Sequence, residues 1–307
     1  MVALNVRPGD EVIVPALTYI STANVVRYVG ATPIFVDVQP DTWCMDPDAL
    51  EAAITRKTKG IVPVDLYGHP ADMDPINRIA KTHDLWVVED SAEAHMATYR
   101  GRPVGSLATI SAFSFYGNKI ITSGEGGALT YDDRELDGRL RMLRSQGMDP
   151  LRRYYFPVIG YNFRLTNLAC ALLCAQIERN EAIVARRRQI FEAYRQFLRD
   201  VPGIGFQPVA SWAVPAPWLF CITVDENEFG CDRDDLGLKL AECGVDTRPF
   251  FVPLHLLPPY MDDKYSGKFP ISEQLGSRGL NLPTFGSMTD AHIDYICRCI
   301  AAIQKRI

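Results

Sequence analysis

The feature that most limits what this chain can fold into is an alternation across its first 130 residues: short β-branched runs take turns with stretches of helical periodicity. Residues 11–15 (Glu-Val-Ile-Val-Pro) read as a strand, 21–29 as a helix and 33–38 as the next strand. Asp46-Pro47 supplies an N-cap with proline at the first helical position, which predicts a helix to about residue 54. Residues 61–66 return to strand, with Pro63 marking an edge or an irregularity. Asp74-Pro75 repeats the helix start, and 85–89 (Leu-Trp-Val-Val-Glu) is the strand that follows. Switching between periods of 2 and 3.6 in this way is the pattern of the α/β class, a mostly parallel sheet covered by helices.

In open sheets of this class, ligands sit beyond the carboxyl ends of the strands, so polar residues directly after the apolar runs are the candidates. Three strand ends qualify: Thr18 and Tyr19, Asp90 and Glu93, and the stretch from Ser114 to Lys119. The last is the most constrained, because an apolar run ends in a polar turn with one lysine and is followed by Ser-Gly-Glu-Gly-Gly, which no regular element tolerates. Taken singly, Lys119 reads as a surface lysine and Asp90 as a strand-end cap. Together they match a specific need. A lysine that condenses with an aldehyde and an aspartate that keeps a pyridinium nitrogen protonated are the two protein partners of pyridoxal phosphate.

The 307 residues, 47% of them hydrophobic, suffice for a large domain and a smaller one. The reading places the large domain and a connecting helix in residues 1–200 and a compact α+β domain in 201–307, after the Pro- and Gly-rich segment 201–217. Leu168, Leu172 and Ala175 give one helix face, which Ile183, Ile190, Tyr194 and Phe197 continue. A net charge of −5 without a basic block argues against nucleic acid and anionic membrane as partners. No apolar run reaches the roughly 18–20 residues of a membrane span, and the first residues do not read as a secretory leader. Eight scattered cysteines suit free thiols in a reducing cytoplasm. Neither Cys170/Cys174 nor Cys297/Cys299 has a second Cys/His pair at zinc spacing, so no metal is expected. The motifs of P-loop nucleotide binding, Rossmann dinucleotide binding, zinc proteases and serine hydrolases are all missing.

Three blocks carry a resemblance to a known family: Val88-Glu-Asp-Ser-Ala-Glu-Ala-His95, Ser114-Phe-Tyr-Gly-Asn-Lys-Ile-Ile-Thr-Ser-Gly-Glu-Gly-Gly127 and Gly160-Tyr-Asn-Phe-Arg-Leu-Thr-Asn167. They resemble the signatures of the DegT/DnrJ/StrS sugar-nucleotide aminotransferases, which are fold-type-I enzymes of pyridoxal phosphate. Gly9-Asp-Glu-Val-Ile-Val-Pro15, Asp65-Leu-Tyr-Gly-His-Pro70 and Arg248-Pro-Phe-Phe-Val-Pro-Leu-His255 extend the similarity over essentially the whole chain.

The resemblance implies a role for each matching residue. Lys119 would bond the cofactor and shuttle the proton. Asp90 would pair with the ring nitrogen, Glu93 would hydrogen-bond the ring hydroxyl and Tyr19 would stack on the ring. Ser114 would hold the phosphate together with Asn162 from a second subunit, so a homodimer would share its active sites; Arg164 lies in the same block. Arg248, His255 and Tyr260 are the candidates for contact with the sugar nucleotide. The implied reaction moves an amino group, with glutamate as donor, to a nucleotide-linked 4-keto-6-deoxy sugar in cell-surface polysaccharide synthesis.

Two departures bear on activity. Residues 1–10 resemble those just downstream of the family's Gly-Thr/Ser-x-Ala-Leu turn, so the resemblance implies that this chain lacks an N-terminal, phosphate-cradling part of the large domain. Hydrogen bonds to a charged phosphate are worth roughly 1.5–3 kcal/mol each, so a non-catalytic homologue is the alternative expectation. Met96 stands where relatives usually have glycine. A pyridoxamine-dependent dehydratase, whose relatives carry histidine in place of the lysine, is disfavoured by Lys119.

Overall fold

A computed structural model of the protein describes residues 1–305. Its first sheet follows the predicted alternation. Strands β1 (Glu11–Pro15), β2 (Thr32–Val36), β3 (Thr58–Ile61) and β4 (Trp86–Asp90) alternate with helices α1 (Ser21–Arg27), α2 (Pro47–Ala52) and α3 (Met73–Thr82). After the short hairpin β5 (Thr98–Tyr99) and β6 (Arg102–Pro103) come β7 (Ile110–Ser114) and β8 (Gly127–Thr130). The six-stranded order is β2-β1-β3-β4-β7-β8, parallel throughout except for the antiparallel β7–β8 edge. Val12, Ile13 and Val14 are completely buried, as befits a parallel strand covered on both faces.

The strand expected at 61–66 is displaced to 58–61. Proline cannot donate to a ladder, so regular pairing stops before Pro63, whose carbonyl still accepts the Asp90 N–H at 2.9 Å. Asp46 caps α2 as predicted, accepting the Asp48 N–H, with Pro47 opening the helix.

Beyond β8 the chain forms α4 (Arg134–Arg144), α5 (Asn167–Ile177) and α6 (Asn180–Leu198); the continuous periodicity read across 168–197 is therefore two helices. A second sheet follows from β9 (Ile204–Phe206), with β10 (Ala213–Val214) turning back to pair with β5. It continues through β11 (Phe220–Val224), β12 (Arg248–Pro249) and β13 (Gly279–Leu282), giving the antiparallel order β12-β13-β11-β9. Helices α7 (Glu226–Phe229), α8 (Arg233–Glu242), α9 (Pro270–Arg278) and α10 (Asp290–Gln304) complete the chain.

The hydrophobic clusters cross the boundary drawn at residue 200. Ile190, Tyr194 and Leu198 of α6 belong to the core of the second sheet, where Tyr194 stacks on Phe220 at 4.8 Å. Leu254, Tyr260, Tyr265 and Phe269 instead pack onto Val12, Val14 and Phe35 of the first sheet. Among the described residues no disulfide joins the cysteines, and no helix is long and apolar enough to cross a membrane.

Candidate active site

The carboxyl ends of β4 and β7 meet where the sequence placed them. Asp90 ends β4; its Oδ2 accepts the Thr22 hydroxyl of α1 at 2.7 Å, and its Oδ1 accepts the Ala92 N–H at 3.3 Å. Burial raises the Asp90 carboxyl above its ordinary range, while these two donors and the nearby Lys119 pull the other way.

Glu93 is held from a different strand end. Its Oε2 accepts the backbone N–H of Tyr67 at 2.7 Å. Tyr67 has a left-handed φ of +53°, costly for an aromatic residue, and Gly68 follows at +95°. A Cβ on Gly68 would meet the Ala216 carbonyl oxygen at 2.2 Å, so only glycine fits there. The strained turn thus aims one amide at one carboxylate. Burial pushes Glu93 up to about 7, against the opposing pull of Lys119.

Lys119 sits on the turn after β7, its backbone N–H bonded to Tyr116 at 2.9 Å. The glycine cluster beyond it has the positive φ values it was read for, +86° at Gly124 and +130° at Gly126. Nζ has no hydrogen-bond acceptor among the described residues and rests 3.8 Å from the centre of the Trp218 ring. Burial lowers the Lys119 pKa, with Glu93 and then Asp90 acting against the shift. His95 lies beneath, its ring tilted against Phe113 and Phe115; burial first and Lys119 second hold it at about 4, so it is neutral at pH 7.

The remaining candidates divide by setting. Tyr19 is 56% exposed and meets Phe251 edge-on at 5.6 Å, leaving its ring free on the solvent side. The Ser114 hydroxyl oxygen ends β7 and accepts the Tyr116 N–H at 3.3 Å. Asn162 and Arg164 lie on an exposed stretch without a bond to Lys119, Asp90 or Glu93 of the same chain. Arg248 is exposed on β12.

His255 and Tyr260 differ from the expectation of substrate contact. The His255 imidazole is buried against Phe269 with Nε2 3.0 Å from Glu273, and the buried Tyr260 hydroxyl donates to Asn24 at 2.6 Å. Both serve the packing of residues 254–269 onto the first sheet, which pattern alone does not reveal. Met96 is half exposed at φ +66°, a backbone position that favours glycine. Sequence reasoning missed Thr22, Tyr67 and Trp218. Only Thr22 had a local signal, since it follows Thr18 by one helical turn, and the two hydroxyls lie 3.2 Å apart.

A half-buried lysine whose ammonium has no acceptor among the described residues, with two carboxylates near it, Asp90 and Glu93, forms a donor set that fits pyridoxal phosphate. Comparison with known proteins agrees. The chain is 46% identical over 306 residues to the GDP-perosamine synthase of Caulobacter vibrioides, covering 99% of this chain and 81% of that one. It superposes on S. venezuelae DesV with a TM-score of 0.92 at 36% identity, over 99% of this chain and 81% of that one. It superposes on the PLP form of the putative sugar aminotransferase Spr1654 from Streptococcus pneumoniae at 0.90 and 31% identity, over 99% and 83%. The expectation of a non-catalytic homologue finds no support in these matches. The DegT/DnrJ/EryC1/StrS aminotransferase family matches residues 1–301, and the chain belongs to this family of pyridoxal phosphate enzymes.

Proposed function

We propose that the protein transfers the amino group of glutamate to the keto carbon of a nucleotide-linked 4-keto-6-deoxy sugar, with GDP-4-keto-6-deoxymannose the first candidate. The setting would be cytoplasmic synthesis of cell-surface polysaccharide such as O-antigen. The observation that carries this reading is the half-buried Lys119, whose ammonium has no hydrogen-bond acceptor among the described residues and feels the charges of Glu93 and Asp90. Likeness to a GDP-perosamine synthase supplies the nucleotide and the hexose.

Pyridoxal phosphate, when bound, supplies an aldehyde for the travelling nitrogen and a ring that withdraws electrons from the reacting carbon. The protein does the rest. Asp90, fixed by Thr22 and Ala92, would hold a proton at the ring nitrogen, and Glu93 would face the ring hydroxyl. Tyr19 would cover the ring, and Ser114 would bind the phosphate. Burial enlarges the uncharged fraction of Lys119, which lets the amine take the Cα proton of glutamate and later deliver a proton to C4 of the sugar. Because 2-oxoglutarate leaves before the sugar reacts, kinetics should be ping-pong.

Incubating the protein with ¹⁵N-glutamate and GDP-4-keto-6-deoxymannose should give a ¹⁵N-labelled amino sugar by mass spectrometry, and the dTDP-linked keto sugar should react more slowly. No label in either sugar nucleotide would overturn the reading.

A homodimer belongs to the same proposal. Helix α5 reads Asn-Leu-Ala-Cys-Ala-Leu-Leu-Cys-Ala-Gln-Ile, yet none of its residues is buried; Leu168 is 82% and Leu172 58% exposed. Ile159 and Phe163 extend this apolar surface beside Asn162. So large a patch calls for a partner, and a second copy would bring Asn162 to the neighbouring site. The double variant Leu168→Glu, Leu172→Glu should sediment as a monomer and bind pyridoxal phosphate at least 10-fold more weakly. A dimer of unchanged mass would count against this interface.

A further inference from the structure

Trp218 lies a hundred residues from Asn118 in the chain, just before β11, yet its buried indole meets the catalytic turn twice. Nε1–H donates to the Asn118 carbonyl at 3.0 Å, which fixes the peptide directly before Lys119. The ring face lies 3.8 Å from the Lys119 Nζ. Trp218 is itself held firmly. Its carbonyl accepts Nη1 of the buried Arg187 at 3.0 Å, its N–H donates to the Ala216 carbonyl at 2.9 Å, and its ring stacks near Tyr67 at 21°.

We propose that Trp218 is the positioning residue of the catalytic lysine: its indole face holds the Lys119 ammonium whenever the amine is not bonded to the cofactor, and its N–H sets the turn from which the amine returns. This rests on Lys119 being the cofactor's lysine. The groups that face the ammonium are Glu93, Asp90, the neutral His95 and this ring. An aromatic face attracts the cation through its quadrupole but has no lone pair to take the proton, so it stores the charge without competing as a base. A transaminase lysine is freed in each half-reaction, and a defined resting place shortens its search for the reacting carbon.

The test uses the full chain treated with excess glutamate, in which Lys119 is free. Reductive methylation of Lys119 is followed against pH by peptide mass spectrometry in wild type, Trp218→Phe and Trp218→Leu. The labelling midpoint should fall from wild type to Phe to Leu, raising the free-amine fraction at pH 8 by about 2- to 30-fold in the Leu variant. Trp218→Phe, which keeps a ring but loses the N–H, should lower kcat while leaving KM for both substrates within about two-fold.

A raised labelling plateau with an unmoved midpoint means that Trp218 only covers the lysine, and it overturns the proposal. If Trp218→Leu fails to fold, the midpoint of Trp218→Phe against wild type decides alone. Borohydride reduction before glutamate is added should leave the cofactor's mass on the Lys119 peptide. A missing adduct would sink the assignment of Lys119, while the midpoints would still report on Trp218.

Discussion

Lys119→Met should lower kcat by at least about 10⁴-fold, because in the proposed reaction Lys119 is both the covalent attachment and the acid–base group, and acid–base catalysis alone is worth roughly 10²–10⁴. The wild-type protein should show a visible absorbance band of lysine-bound cofactor that borohydride fixes to the Lys119 peptide, and the variant should show neither. Folding should survive, since methionine fills the space and the two carboxylates that lose their cation, Asp90 and Glu93, are already pushed toward their neutral forms by burial. The proposed proton transfer needs uncharged Lys119, so the wild-type rate should fall as pH drops through a pKa below that of an ordinary lysine. Residual turnover above about 1% in Lys119→Met, or a reduced adduct on another lysine, would remove Lys119 from the centre of the reaction.

The parts of this site that were legible in the sequence are those fixed by local rules. A strand that ends in Asp90 and a turn that carries Lys119 follow from a period of 2 that stops, and the sheet's topology brings their ends together. Glycines at 124 and 126 announced their positive φ by composition. What stayed hidden depends on distant contacts. Tyr67 grips Glu93 from 26 residues away, and Trp218 grips the lysine turn from a hundred. His255 and Tyr260 looked available because periodicity says which residues share a face and not what covers it. In the fold, Phe35 and Phe269 cover them. For α5 the converse holds. Its apolar residues on every side were readable, and their exposure in the single chain gives that pattern its meaning.

Glu93→Gln should stabilise the cofactor-free protein at pH 8 by about 3 kcal/mol and hardly at all at pH 4. The ordinary glutamate value is 4.5 and burial raises Glu93 to about 7, so the folded chain holds this proton more tightly than the unfolded chain does. Its contribution to stability is therefore complete below about pH 4.5 and is lost as pH rises to 7; a gap of about 2.5 units at 1.36 kcal/mol each gives the figure. Glutamine has no proton to lose, and its amide oxygen can still accept the Tyr67 N–H that Glu93 accepts at 2.7 Å. Thermal melts across this window should show the variant gaining about 5 °C between pH 4.5 and 8, and a constant offset would show that Glu93 is not the titrating group. Activity should move the other way, falling about 10- to 100-fold, because a neutral amide can no longer answer a charge on the cofactor ring. A buried carboxylate that costs stability at the working pH is retained for what it does to the group next to it, and the opposite signs of these two changes are the measurable form of that trade.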